Sequence, residues 1–188
     1  MTLKQALLVI DYSNDFVDDK GALSCGAAGQ ALDGFIAGLL TEAARRGDFI
    51  FICNDEHRAA DPYNPEGKLF PPHNIVGSWG AELYGQSGAA ARRALEQAPD
   101  TTYYIAKTRY SAFFGTVLDA MLRHRRVERL TIVGLCTDIC VLHTVIDACY
   151  LGYQVHVPRF GCAALTEAGQ NWALQHMETC LGVEIDNA

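Results

Sequence analysis

Solid apolar runs alternate with stretches of helical apolar spacing along this chain. Ala6 to Ile10, Phe49 to Cys53 and Leu130 to Leu135 are continuous apolar runs of strand length, as in strands buried on both faces. Thr101 to Ala106 is a further strand, rich in β-branched and aromatic residues, and Gln154 to Val157 and Val183 to Ile185 add two short ones. Between them, Leu32, Phe35, Ile36, Leu39, Leu40 and Ala43 mark one amphipathic helix over 28–46, stopped by Gly47. Further helices are expected near Gly80 to Leu83, over Ser87 to Gln97, around Val117 to Leu122, from Cys140 to the stop at Gly152, and over Thr166 to Leu181. Strands alternating with helices predict an α/β fold: a three-layer α/β/α arrangement with a mainly parallel sheet of about six strands.

Two segments lack either period. Tyr12 to Leu23 reads as a loop above the first strand end, and 58–78 as a long irregular loop with Pro62, Pro65, Pro71 and Pro72. At 188 residues, with no repeat or linker, the chain is expected to form one domain over 1–188.

Hydrophobic content of 49% and charge of 20% describe an ordinary folded protein, and the net charge of −7 argues against a nucleic-acid partner, whose phosphates need Lys and Arg. The first residues carry no secretory cleavage pattern and no apolar run is long enough for a membrane span, so a cytoplasmic protein without a membrane partner is expected. Seven cysteines, an odd number scattered through apolar segments, suit reduced thiols better than a disulfide framework.

In a parallel sheet the site lies outside the carboxyl ends of the strands, and here those ends carry Asp11, Lys107 and the Asp55/His57 pair, with a fourth leading through Cys136-Thr137-Asp138 into Cys140. A lone cysteine in a helix is more often a small buried hydrophobe. Beside Lys107 and Asp11 it has partners, one to stabilise a thiolate and one to carry a proton, so the three form a candidate catalytic triad. A helix N-terminus is expected to lower the Cys140 pKa. Asp55 and His57 share one side if the strand extends through them, and with Glu66 and His73 on the next loop they make an oxygen/nitrogen set suited to zinc, manganese or iron. A polar loop with ordinary surface His and Glu is the competing reading. Phe16, Phe70, Trp79 and Tyr110 lie on loops expected to overhang the same edge and line a pocket for a flat ring.

Taken together, LLVIDYSNDFV, NDEH followed by KLFPPHNIVGSWGAEL, KTRYSAF and VGLCTDICVLHTVIDACYLGY resemble the isochorismatase-like cysteine hydrolases, and within them the nicotinamidases. The resemblance implies a triad of Asp11, Lys107 and Cys140, and a divalent metal, zinc before manganese or iron, on Asp55, His57, Glu66 and His73. It also implies a cis peptide between Leu135 and Cys136 that aims the Cys136 and Cys140 N–H groups at one oxygen as an oxyanion hole. Phe16, Phe70 and Tyr110 would surround the substrate ring. The implied reaction is hydrolysis of nicotinamide to nicotinate and ammonia through a Cys140 thioester, in NAD salvage, by a homo-oligomer. The chain departs from the family pattern at Phe160-Gly161, where an Asp-Ala pair is usual, and at Trp79, where a smaller residue is common. The alternatives are a metal-free relative acting on another small amide, ureido or carbamoyl compound, and a thiol redox or binding protein using Cys136 and Cys140.

Overall fold

Seven strands form the middle layer of the structure, a computed structural model that describes residues 4–186. The ends of the expected 1–188 domain, residues 1–3 and 187–188, lie outside the described residues. The strands are β1 (Gln5–Ile10), β2 (Phe49–Asp55), β3 (Thr102–Lys107), β4 (Arg129–Leu135), β5 (Gln154–Val157), β6 (Cys162–Ala163) and β7 (Glu184–Ile185). Their order is β3-β2-β1-β4-β5-β7, with β6 paired to β4 beyond the end of β5, and the pairings throughout are parallel. The sheet thus has one strand more than the apolar runs suggested. Two-residue β6 is too short to leave a periodic signal.

Successive side chains on a strand point to opposite faces, and this alternation builds two cores. Ala6, Leu8 and Ile10 of β1 pack with helices α5 (Leu118–His124), α6 (Leu142–Tyr150) and α7 (Glu167–Leu181) through Leu122, Val145, Ala173 and Met177. Leu7 and Val9 face α3 (Asp33–Arg46) and α4 (Gly85–Gln97) through Ile36, Leu40, Ala91 and Ala94. Helix layers on both faces of a parallel sheet give the expected α/β/α sandwich.

Several boundaries differ from the sequence reading. The expected helix over 28–46 is two pieces, α2 (Gly26–Gln30) and α3. The Gly29 carbonyl accepts both the Leu32 N–H at 3.2 Å and the Tyr12 hydroxyl at 2.7 Å, a tightened turn anchored to the strand layer. The loop over Tyr12 to Leu23 contains a helical turn, α1 (Asn14–Val17), and the 58–78 loop contains a 3₁₀ turn, Pro65–Lys68, capped by the Asn64 side chain. The helix expected near Gly80 is only the 3₁₀ turn Trp79–Ala81. Asp55 and Lys107 belong to their strands and sit opposite each other in register.

Glycine is required where β1 and β4 separate. Gly134 adopts φ 122°, and a Cβ there would fall 2.0 Å from the Ile10 carbonyl oxygen. Gly161, half of the departure noted above, is also dictated by packing, since a Cβ would meet Val133 at 2.7 Å. Its neighbour Phe160 is exposed. No helix among the described residues is long and apolar enough to cross a membrane.

Candidate active site

Four adjacent strands, β3, β2, β1 and β4, deliver Lys107, Asp55, Asp11 and the segment to Cys140 to one end of the sheet. Asp11 follows β1 in the left-handed region at φ 52°, with its N–H bonded to the Cys53 carbonyl at 2.9 Å. Its Oδ1 accepts the Asp55 N–H at 2.7 Å. Lys107 Nζ lies 2.7 Å from Asp11 Oδ2 and donates to Asp55 Oδ1 at 2.8 Å and to the Arg109 carbonyl at 3.1 Å. The contact to Asp11 Oδ2 is a buried ion pair at hydrogen-bond distance, and Cys140 is a further partner of the same carboxyl. Side-chain ligand atoms of Asp11, Asp55 and Cys140 all fall within 4.8 Å of one another.

Cys140 lies in a π-helical turn, Thr137–Val141, ahead of α6, and not in the first turn of an ordinary helix. The Val141 N–H reaches back to the Cys136 carbonyl at 3.1 Å, the five-residue spacing of such a turn. The Leu135–Cys136 peptide is cis, as the resemblance implied.

The electrostatics correct one expectation. The Cys140 thiol is held well above its ordinary pKa: burial dominates, Lys107 opposes it, and Asp11 and Asp55 add to it. A helix N-terminus alone does not outweigh a dry setting with two carboxylates. Burial likewise pushes the Asp11 carboxyl up to about 7, against the pull of Lys107 and with a push from Asp55. For Lys107, burial favours the neutral amine, but Asp11, Cys140 and Asp55 together outweigh it and keep the ammonium. At neutral pH the resting cluster therefore has a fixed cation, a Cys140 thiol that keeps its proton, and an Asp11 carboxyl near its titration midpoint.

The four expected metal ligands converge. His57 Nε2 lies 3.5 Å from Asp55 Oδ2 and 3.8 Å from Glu66 Oε2; His73 Nε2 lies 3.9 Å and 3.8 Å from the same two oxygens. All four residues are buried, and His57 Nε2 and Glu66 Oε1 have no hydrogen-bond partner. Zinc takes nitrogen and oxygen donors at about 2.0–2.2 Å, which sets tetrahedral donor–donor edges of about 3.3–3.6 Å. The four histidine–carboxylate edges match that after contracting by a few tenths of an ångström, and all four donors lie within 4.8 Å of one another, so these residues fit a divalent cation. His73 is oriented by its Nδ1, 2.8 Å from the Pro71 carbonyl, which leaves Nε2 toward the other donors.

A pocket between the two groups is lined by Phe16, Phe70, Tyr110, Cys136 and Cys140, together with Leu23, Ile139 and Leu165. Phe16 and Phe70 stand edge-on to His73, with ring centroids 5.5 Å and 6.2 Å away. Trp79, expected with them, is outside this pocket and 47% exposed; its carbonyl instead accepts the Asn14 side chain at 2.8 Å. Leu23, Ile139 and Leu165 were missed because single apolar residues on loops and turns carry no periodic signal.

Asn74 was also missed. It is fully buried and left-handed, at φ 43°. Its Nδ2 donates to the Asp55 carbonyl at 3.1 Å, its Oδ1 accepts from Ser13 at 2.9 Å, its N–H donates to Asp15 Oδ2 at 2.7 Å, and its carbonyl accepts the His57 N–H at 3.0 Å. One side chain and its backbone thus lock both strand-end ligands to the loop that carries His73. An asparagine directly after P-P-H was the available signal, because Asn tolerates a left-handed conformation better than most residues.

Residues 5–188 match the isochorismatase domain, and the chain belongs to that family. It is 42% identical, over 97% of its length and 99% of the relative's, to the isochorismatase family protein PncA of Bacillus subtilis. The crystal structure of the nicotinamidase/pyrazinamidase PncA from Bacillus subtilis superposes with a TM-score of 0.95 at 40% identity, covering 98% of this chain and all of that one. The pyrazinamidase of Pyrococcus horikoshii, solved in complex with zinc, superposes at 0.83 with 25% identity, covering 98% and 99% of the two chains.

Proposed function

We propose that the protein is a metal-dependent amidohydrolase that converts nicotinamide to nicotinate and ammonia. What carries this reading is the meeting, around one aromatic-lined pocket, of a buried Asp11–Cys140 pair fixed by Lys107 and a dry Asp55/His57/Glu66/His73 donor set. The names borne by the Bacillus subtilis and Pyrococcus horikoshii proteins support an amide substrate and a divalent metal, zinc first.

Asp11 accepts the Cys140 proton, and the sulfur attacks the carboxamide carbon. Backbone N–H groups of Cys136 and Cys140 hold the oxygen that gains charge. Asp11 then passes the proton to the departing nitrogen, ammonia leaves, and the acyl group remains on Cys140 as a thioester. Asp11 next takes a proton from water, whose oxygen attacks the thioester carbon; the released sulfur recovers the proton as nicotinate departs. Lys107 keeps its charge throughout and holds Asp11 and Asp55 apart from any other counterion. Phe16, Phe70 and Tyr110 exclude water around the ring. Asp55, His57, Glu66 and His73 would hold the metal, which supplies a Lewis acid for the ring nitrogen and for water. The setting this implies is a cytoplasmic homo-oligomer in NAD salvage.

The test is ammonia release from nicotinamide by protein whose metal content has been measured as purified. Retained metal near one ion per chain with steady ammonia release is expected. A metal-free protein inert toward nicotinamide would sink this reading in favour of a metal-free amidase.

A further inference from the structure

The mechanism uses the backbone of Cys136 but not its sulfur, and does not use Cys25. Their Sγ atoms lie 3.3 Å apart, 111 residues apart in sequence, the only thiol–thiol contact among the described residues. Cys136 is buried at the pocket wall beside Cys140. Cys25 is half-buried, at the start of α2, and its N–H donates to the Phe16 carbonyl at 2.8 Å.

We propose that Cys25 and Cys136 form a dithiol site that a hydroperoxide closes to a disulfide, suppressing turnover at the neighbouring Cys140. The chemistry divides between the two sulfurs. Cys25 is the accessible one, and the contact with Cys136 lowers its pKa, whereas Cys136 is raised by that same contact and by burial. The Cys25 sulfur attacks the peroxide and becomes a sulfenic acid, with one alcohol or water released. The Cys136 sulfur then attacks the sulfenic sulfur, its proton leaves with the hydroxyl as water, and the S–S bond forms. Two thiols have been oxidised and one peroxide reduced.

A disulfide bond is about 2.05 Å long, so the sulfurs must approach by roughly 1.2 Å from their present contact. Cys136 carries the N–H assigned to the oxyanion, and Cys25 is tied to Phe16 at the ring pocket. The movement falls on both. Cys140 lines the same pocket as Cys136 and is paired with Asp11. The consequence for turnover rests on the amidase reading; formation of the bond does not.

Hydrogen peroxide, titrated to one equivalent per chain, provides the test in the Cys140→Ala protein, with Cys140→Ser as a second background. A mass loss of 2 Da is expected, with tryptic peptide 21–45 joined to peptide 130–159 through Cys136 and not Cys149. In wild-type protein the mapped bond is expected to cut nicotinamide turnover at least about tenfold, with recovery on adding dithiothreitol. Cys25→Ser is expected to keep its basal rate and to form no such bond. Cys25 and Cys136 remaining separately alkylatable would overturn the dithiol site. A mapped bond with unchanged turnover would overturn the switch. Protein inert toward nicotinamide even when reduced would instead refute the amidase reading, and the peptide map would still decide whether the dithiol site exists.

Discussion

The two halves of the site are held in different ways. Asp11, Asp55 and Lys107 stand at strand ends in parallel register and are tied directly to one another by bonds of 2.7–2.8 Å. Glu66 and His73 ride on the 58–78 loop and depend on intermediaries: the Asn64 side chain for the turn that carries Glu66, the Pro71 carbonyl for the His73 ring, and Asn74 for the approach of the loop to β2. The first group needs no cation to complete it. The second leaves His57 Nε2 and Glu66 Oε1 unpartnered in a dry setting, a costly arrangement unless something binds there. Where the sheet supplies the geometry, charge balance comes from the protein; where a loop does, a bound ion is left to complete it.

The largest test of this contrast removes the nucleophile alone. Cys140→Ala is expected to lower ammonia release by at least about 10³-fold while metal content per chain stays unchanged, because Cys140 is not among the four expected ligands. Loss of metal together with activity would show that the two halves are not separable. Next is Lys107→Ala, which leaves Asp11 and Asp55 buried without their cation. About 3–5 kcal/mol of stability should be lost, read as a lower urea midpoint.

The loop half predicts a different failure. Asn74→Ala is expected to weaken metal binding by roughly 10- to 100-fold, measured by competition with a chelator, and to spare thiol alkylation of Cys140. If metal affinity were untouched, the loop would not need its tie to Asp55 and Ser13. The smallest effect is in pH. With Asp11 raised to about 7, kcat/KM should climb about tenfold per pH unit below that value and level off above it; a limb centred near an ordinary aspartate would deny Asp11 the role of base. Stability carries the matching sign. Between the unfolded value, about 3.9, and about 7, the folded protein holds a proton that the unfolded chain has lost, so Asp11 makes stability fall as pH rises through that window. Asp11→Asn should flatten that slope in urea midpoints measured across pH.

Much of this site was legible along the chain. Asp11, Lys107, Asp55 and His57 each end a solid apolar run, and in a parallel sheet such ends converge whatever the loops do. Glu66 and His73 were legible only as an acid and an imidazole on the next loop, with a surface reading in competition, because nothing local distinguishes them from surface residues. The π-helical turn under Cys140 was not legible, since a five-residue hydrogen-bond spacing over one turn leaves no apolar period. Nor was the break between α2 and α3, which hangs on a hydroxyl from Tyr12, distant in sequence.

By itself, then, the order of apolar and polar positions determined six of the seven strands, the presence of helices on both faces of the sheet, and which charged groups reach the sheet's carboxyl edge. The reason is that side-chain alternation and strand length are local properties. Only the tertiary structure decided the protonation of those groups. Whether Cys140 is a thiolate or a thiol depends on burial and on two carboxylates brought from β1 and β2, and these long-range terms reverse what a helix N-terminus alone suggests. It likewise decided that Cys25 touches Cys136 and that Asn74 binds three segments, contacts between residues whose separation in sequence carries no trace of their meeting.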